Sequence, residues 1–182
     1  MNPVLEFYLT NLFLNAGLLL LPLLIIKFVE KKKFSLKDFG FRSKGISKDI
    51  SLTLFTYSAL MIVSLLLGII FIYTQTNDFE PVQDTLTKVF AISPFVIVYF
   101  FVIRIFFEEW FFRAFLVPRI GVIGSSVLFG IAHLGYGSFS EIAGAMVLGT
   151  VLALFYKYNR QIVPNYVAHL LYNATVVLLW GL

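Results

Sequence analysis

The sequence predicts an all-α fold, a polytopic membrane bundle of about six transmembrane helices. The chain is 59% hydrophobic and only 13% charged, whereas soluble domains carry about 25% charged residues. Its mean hydropathy is +0.90, and several apolar runs are long enough to cross the roughly 30 Å hydrocarbon core of a bilayer. Cysteine is absent, which excludes disulfides, thiolate nucleophiles and Cys-based metal sites. We expect residues 1–182 to form a single membrane domain.

Apolar runs separated by polar or turn-forming segments are the predicted spans: 4–29, 51–73, 88–107, 121–134, 141–156 and 161–182. A basic cluster follows the first run instead of preceding it, so we interpret that run as a retained helix and not as a signal peptide. The fourth run is short and, like the fifth, has small residues four positions apart, which lets helices approach closely. Pro22 is expected to kink the first helix, and Pro118 to end the helix that precedes the fourth run.

Charge is distributed unequally between the predicted loops. Residues 27–50 contain eight of the fourteen Lys and Arg residues, whereas residues 74–87 contain three acidic residues and no basic one. Because loops rich in Lys and Arg remain in the cytoplasm, we expect 30–50 inside and both termini outside. Residues 1–87 are then a two-helix part with a basic cytoplasmic loop, and residues 88–182 carry the motifs described below. The basic loop can also contact anionic membrane lipid, and nucleic acid is not an expected partner.

Two adjacent carboxylates, Glu108 and Glu109, lie in an otherwise apolar and aromatic stretch. Charges in such surroundings are costly and mark a candidate functional site. The two side chains point about 100° apart on a helix, so they cannot have the same role. Arg113 follows Glu109 by four residues, and Glu108 follows Arg104 by four. One interpretation is that these two pairs are structural ion pairs. The other is that Arg113 holds Glu109 while Glu108 faces a cavity. In the second case Arg104 either lowers the basicity of Glu108 or extends towards the membrane interface or a substrate carboxylate.

The two histidines, His133 and His169, both lie in apolar runs. Phe129 precedes the first by four residues and Asn173 follows the second by four, so each pair shares a helix face. A carboxylate and a histidine can activate water, and a histidine with an amide can stabilise an oxyanion. This set suits hydrolysis without a covalent nucleophile. The alternative is a zinc site formed by Glu108, His133 and His169, although the His-Glu-x-x-His motif is absent.

In chain order, Glu108-Glu109-x-x-x-Arg113, Phe129-x-x-x-His133 and His169-x-x-x-Asn173 resemble the three motifs of the CPBP (Abi/CAAX protease) family of intramembrane proteases. That family includes the type 2 CAAX prenyl endopeptidase. The resemblance covers residues 108–173, and residues 1–87 show no motif. It implies a helix bundle with short or broken helices around an active site that opens towards the cytoplasm.

The resemblance also implies a role for each motif residue. The catalytic set would be Glu108 and His133 acting on water, with His169 and Asn173 binding the oxyanion. The supporting set would be Glu109, Arg113 and Phe129. The implied mechanism is of the glutamate type and needs no cofactor, with zinc as the alternative.

Three functions are compatible with these residues. The first is an intramembrane endopeptidase in the cell membrane, acting on a peptide or on a lipidated C-terminal tail of the CAAX type. The second is a non-catalytic peptide-binding or bacteriocin-immunity protein with the same fold. The third is a transporter, since buried charges also mark ion pathways, but the sequence shows no internal repeat of the kind that many transporters carry.

Overall fold

The computed structural model describes residues 3–92 and 94–181, and within them the protein is helical and contains no strand. The helices are α1 Pro3–Leu24, α2 Ile46–Tyr73, α3 Glu80–Phe90, α4 Pro94–Val98, α5 Ile105–Glu108, α6 Val117–Ile131, α7 Phe139–Asn159 and α8 Ile162–Trp180. Three wider, π-helical segments extend or join them: Ile25–Val29, Tyr99–Arg104 and Glu109–Leu116. Ser93, within the third predicted span, and Leu182, at the end of the sixth, lie outside the described residues.

Five segments are long and apolar enough to cross a membrane: Asn11–Val29, Ile46–Tyr73, Phe95–Tyr136, Phe139–Asn159 and Ile162–Trp180. The prediction of an all-α membrane bundle is therefore confirmed. The third segment has 42 residues, which as a straight helix would measure about 63 Å, roughly twice the hydrocarbon core.

That long segment folds back on itself at Gly121. This residue has φ 76° and ψ −179°, a backbone conformation that glycine adopts without a steric penalty. Beyond the break, the Ser125 hydroxyl donates to the Phe112 carbonyl at 2.5 Å, and the rings of Phe112 and Phe129 lie 5.0 Å apart. The third and fourth predicted spans are thus two packed arms of one segment. Pro118 does not end the helix; it lies in the first turn of α6, where its missing N–H is tolerated.

The loops that the sequence places inside meet at one end of the bundle. The Ile162 N–H donates to the Gly40 carbonyl at 3.0 Å, and Arg119 Nε donates to Glu30 Oε1 at 2.7 Å. The Arg119 hydrogen bond holds the pKa of the Glu30 carboxyl below its usual value. We call the end formed by residues 25–48, 117–121 and 157–162 the basic end.

The opposite end is formed by residues 74–90, 133–141 and 177–181, and we call it the acidic end. Asp78 accepts hydrogen bonds from the Phe139 and Ser140 N–H groups, at 2.7 and 2.9 Å, and from the Ser138 hydroxyl at 3.0 Å. The Ser140 amide, with these neighbours, holds the Asp78 pKa well below its usual range. Residues 74–87, predicted as a loop, contain the start of α3, an amphipathic helix that buries Val82 and Val89.

Close helix packing explains the small residues noted in the sequence. A Cβ atom at Gly130 would lie 2.2 Å from Met146 Cγ, and one at Gly149 would lie 2.8 Å from Phe129 Cδ1. The second arm of the long segment and α7 therefore touch where a side chain would keep them apart. This contact places Phe129 and His133 against the first half of α7.

Candidate active site

Glu108 is the last residue of α5, directly before the π-helical segment Glu109–Leu116. Such wide turns are frequent at functional sites. Its side chain lines a cavity of about 340 Å³, and the residue is only 8% exposed. Arg104 Nε lies 3.2 Å from Glu108 Oε1, and Arg104 Nη1 donates to Asn11 Oδ1 at 3.2 Å. Arg104 therefore balances the Glu108 charge and links it to α1.

Glu109 points away from the cavity and is fully buried, as is its ion-pair partner Arg113. Arg113 Nε lies 3.4 Å from Glu109 Oε1. His169 Nδ1 lies 2.9 Å from the same oxygen, and Asn165 Nδ2 donates to Glu109 Oε2 at 2.7 Å. Both ion pairs predicted from the four-residue spacing are therefore present, and the two adjacent carboxylates do have different surroundings.

Phe129 connects the three motifs. The Arg113 guanidinium carbon lies 4.1 Å from the centre of the Phe129 ring, a cation–π contact. The same ring lies 4.7 Å from the His133 ring and 6.1 Å from the His169 ring. Phe129 thus packs against the buried arginine and both histidines.

The orientation of His133 follows from its backbone contact. Its Nδ1 lies 2.7 Å from the Phe129 carbonyl oxygen, and because a carbonyl only accepts, Nδ1 carries a proton. In the neutral ring Nε2 is then free to accept one. His133 lines the same cavity as Glu108. The arrangement therefore offers a carboxylate and an imidazole nitrogen to the same enclosed space.

Glu141 is a cavity residue that our sequence analysis missed. It lines the cavity, and its Oε1 lies 4.0 Å from His133 Nε2. Ser138 caps α7 by accepting from the Glu141 N–H at 3.0 Å, and Ser-x-x-Glu is a pattern in which the glutamate usually bonds back to the capping residue. Here the carboxylate faces His133 instead. In the sequence, the only signal at Glu141 was the Ser-x-x-Glu pattern of a helix N-terminus.

His169 and Asn173 both line the cavity from α8, as their four-residue spacing predicts. The Glu109 carboxylate accepts from His169 Nδ1, which fixes the ring. Asn165, one turn before His169, was also missed. The sequence did contain a signal for it: Asn165 is an amide in an apolar helix, four residues before His169. This spacing puts both side chains on one helix face, the face that holds Glu109.

The zinc alternative requires three ligands gathered around one point. Among the side chains that the structure describes, no three from His, Cys, Asp or Glu form a group that could hold a metal ion. Glu108, His133 and His169 line one cavity without forming such a group. Because Glu109 holds His169 Nδ1, Nε2 is the ring nitrogen left for a ligand or substrate in the cavity.

Comparison with known proteins identifies a family that the segment carrying the site resembles. Residues 90–175 match the family model described as Type II CAAX prenyl endopeptidase Rce1-like. The match contains all three motifs, from Glu108 to Asn173. No curated protein and no solved structure matches the chain. The matched segment is 86 of the 182 residues, and its similarity to the Rce1-like type II CAAX prenyl endopeptidases is consistent with the CPBP (CAAX protease) family.

Proposed function

We propose that this integral membrane protein is a glutamate-type intramembrane endopeptidase. The observation that carries the proposal is the shared cavity: Glu108 and the Nε2 side of His133 face one enclosed space within a segment that matches a protease family. A carboxylate and an imidazole so placed can take protons from a water molecule. A peptide, or a lipidated protein tail, is the substrate class that we propose, in contact with membrane lipid.

In this mechanism Glu108 accepts a proton from water as the water oxygen attacks the scissile carbonyl carbon. His133 orients that water through Nε2, and Glu141 stabilises the imidazolium form of His133 when it holds a proton. The carbonyl oxygen becomes an oxyanion, to which the Asn173 amide and the protonated form of His169 donate hydrogen bonds. Glu108 then passes this proton to the nitrogen of the leaving amine, the oxyanion re-forms the carbonyl as the C–N bond breaks, and Glu108 is again a carboxylate.

The proposal is tested by mass spectrometry of peptide cleavage in liposomes. Wild-type protein is incubated with prenylated CAAX-type peptides and with unprenylated peptides, each with and without a chelator. We expect cleavage that the chelator leaves unchanged, because Glu108 and His133 activate the water themselves. Loss of cleavage with chelator and its return with zinc would favour the zinc-dependent protease. No cleavage of any peptide, with peptide binding retained, would favour the non-catalytic immunity function.

Asn173→Ala should lower the cleavage rate by about 100- to 1000-fold, because removing one oxyanion donor costs roughly 2.7–4 kcal/mol. The residual rate should remain measurable by the same mass-spectrometric assay. Asn159→Ala is the matched control, since Asn159 ends α7 and does not line the cavity. Equal rates for the two variants would remove Asn173 from the proposed oxyanion site.

A further inference from the structure

A second cavity, of about 500 Å³, lies at the basic end. Three parts of the chain that are distant in sequence form its wall: residues 26–42, residues 114–119 and Arg160. It shares no described lining residue with the cavity around Glu108, so the two are separate sites. Its volume falls within the roughly 300–1,000 Å³ of sites that bind small molecules.

The wall of this second cavity is strongly cationic. Five basic side chains line it: Lys32, Lys33, Arg42, Arg119 and Arg160. The wall has two carboxylates, Glu30 and Asp38. Glu30 is already balanced, because its Oε1 lies 2.7 Å from Arg119 Nε and its Oε2 lies 3.6 Å from Lys32 Nζ. The excess of basic over acidic side chains favours an anion as the occupant.

Several of these cations are held in place by the protein. Arg119 Nη1 donates to the Phe115 carbonyl at 2.7 Å, and Arg42 Nη2 donates to the Lys37 carbonyl at 2.7 Å. Arg160 ends α7 with φ 53° and ψ 38°, a left-handed conformation that glycine adopts at lower cost. A turn that favours glycine therefore carries a cation at the cavity wall. Guanidinium groups that are already oriented lose less freedom when they bind an anion.

The second cavity lies where membrane-crossing segments end. Glu30 and Arg160, which line it, directly follow the apolar segments Asn11–Val29 and Phe139–Asn159. Large exposed apolar side chains are close to these cavity residues in the chain: Phe28, Leu36 and Tyr158. Basic residues beside exposed apolar and aromatic ones are typical of the level of the lipid headgroups.

We infer that this cavity binds the phosphate-bearing headgroup of an anionic membrane phospholipid, with the acyl chains against the neighbouring apolar side chains. Arginine binds phosphate through paired N–H donors, and lysine adds positive charge. The sequence indicated only that the basic loop can contact such lipid, whereas the fold adds Arg119 and Arg160 to one site. A bound headgroup joins the basic loop to residues 114–119, so it should stabilise the folded protein. This site is independent of the proposed protease function.

The test is a titration of the whole protein, in a neutral detergent, with phosphatidylglycerol, followed by native mass spectrometry of bound lipid. Neutral micelles lack the surface potential that attracts any basic segment to a membrane. We expect saturable binding of one phosphatidylglycerol. Phosphatidylcholine, whose headgroup has no net charge, and glycerol phosphate, which has no acyl chain, should each bind at least tenfold more weakly.

Variants locate the binding within the protein. Lys33→Gln/Arg160→Gln should weaken phosphatidylglycerol binding by about 10- to 30-fold, because each lost cation is worth about fivefold. Lys37→Gln/Lys48→Gln removes the same charge from exposed positions of the basic end that do not line the cavity, and should change binding less than twofold. The lipid should raise the melting temperature of the wild type and of this control more than that of the first variant.

Three results would overturn the inference. Equal losses in the two double variants would show diffuse attraction and no site. Equal binding of phosphatidylcholine would show that the headgroup charge is not recognised. Binding of glycerol phosphate as tight as that of the lipid would make the occupant a soluble phosphate ester. If Lys33→Gln/Arg160→Gln fails to fold, Arg42→Gln gives the same test with an expected loss of about fivefold, and unchanged binding would then overturn the inference.

Discussion

Glu108→Gln should abolish peptide cleavage while the protein remains folded. Glutamine keeps the shape of the side chain and can still accept a hydrogen bond from Arg104, which lies 3.2 Å from the carboxylate, but its amide cannot take a proton from water. General acid–base catalysis contributes about 100- to 10,000-fold to rates, so at least this factor should be lost. The measurement is the initial rate of product formation by mass spectrometry, in liposomes at saturating peptide.

Two further variants test whether the loss of activity is specific to the Glu108 carboxylate. Glu80→Gln makes the same chemical change at an exposed position in the first turn of α3 and should leave the rate unchanged. Glu141→Gln changes a carboxylate in the same cavity and should slow turnover less than Glu108→Gln, because it acts through His133. If Glu108→Gln retained most of the activity and Glu141→Gln did not, Glu141 would be the base and the assignment to Glu108 would be wrong.

The fold was predictable where it depends on composition and local spacing. Hydropathy alone identified the apolar segments, because each helix must bury its backbone polar groups within itself in lipid. The position at which the long third segment reverses direction was not predictable from the sequence. Both Pro118 and Gly121 interrupt helices in general, and the choice between them depends on contacts formed after folding, such as that of Ser125 with Phe112.

The contacts of the candidate site, too, were predictable only where they are local in the sequence. Contacts between residues four apart, Arg104 with Glu108 and Arg113 with Glu109, follow from helix geometry and are present. The contacts of Glu109 with Asn165 and His169 join residues 56 and 60 positions apart. No spacing rule predicts such contacts, and only the resemblance to a family indicated that the segments converge.

Arg113→Met should destabilise the protein more than any other single change at the site. The variant keeps a long side chain against Phe129 but leaves the fully buried Glu109 carboxylate without its cation. Removing one partner of a buried ion pair costs about 3–5 kcal/mol, which for a chain of this size corresponds to a fall in melting temperature on the order of 10 °C. Thermal unfolding in detergent, followed by the fraction that remains monodisperse, measures the change.

The double variant Glu109→Gln/Arg113→Met separates lost charge from lost packing. With both charges removed, no uncompensated ion remains, so stability should recover most of the loss. Activity should not recover, because His169 would face an amide instead of the carboxylate that fixes its ring. Arg119→Ala, which breaks the partly exposed pair with Glu30, should change stability little. If the double variant melted as early as Arg113→Met alone, the role of Arg113 would lie in its contact with the Phe129 ring, 4.1 Å away, and not in its charge.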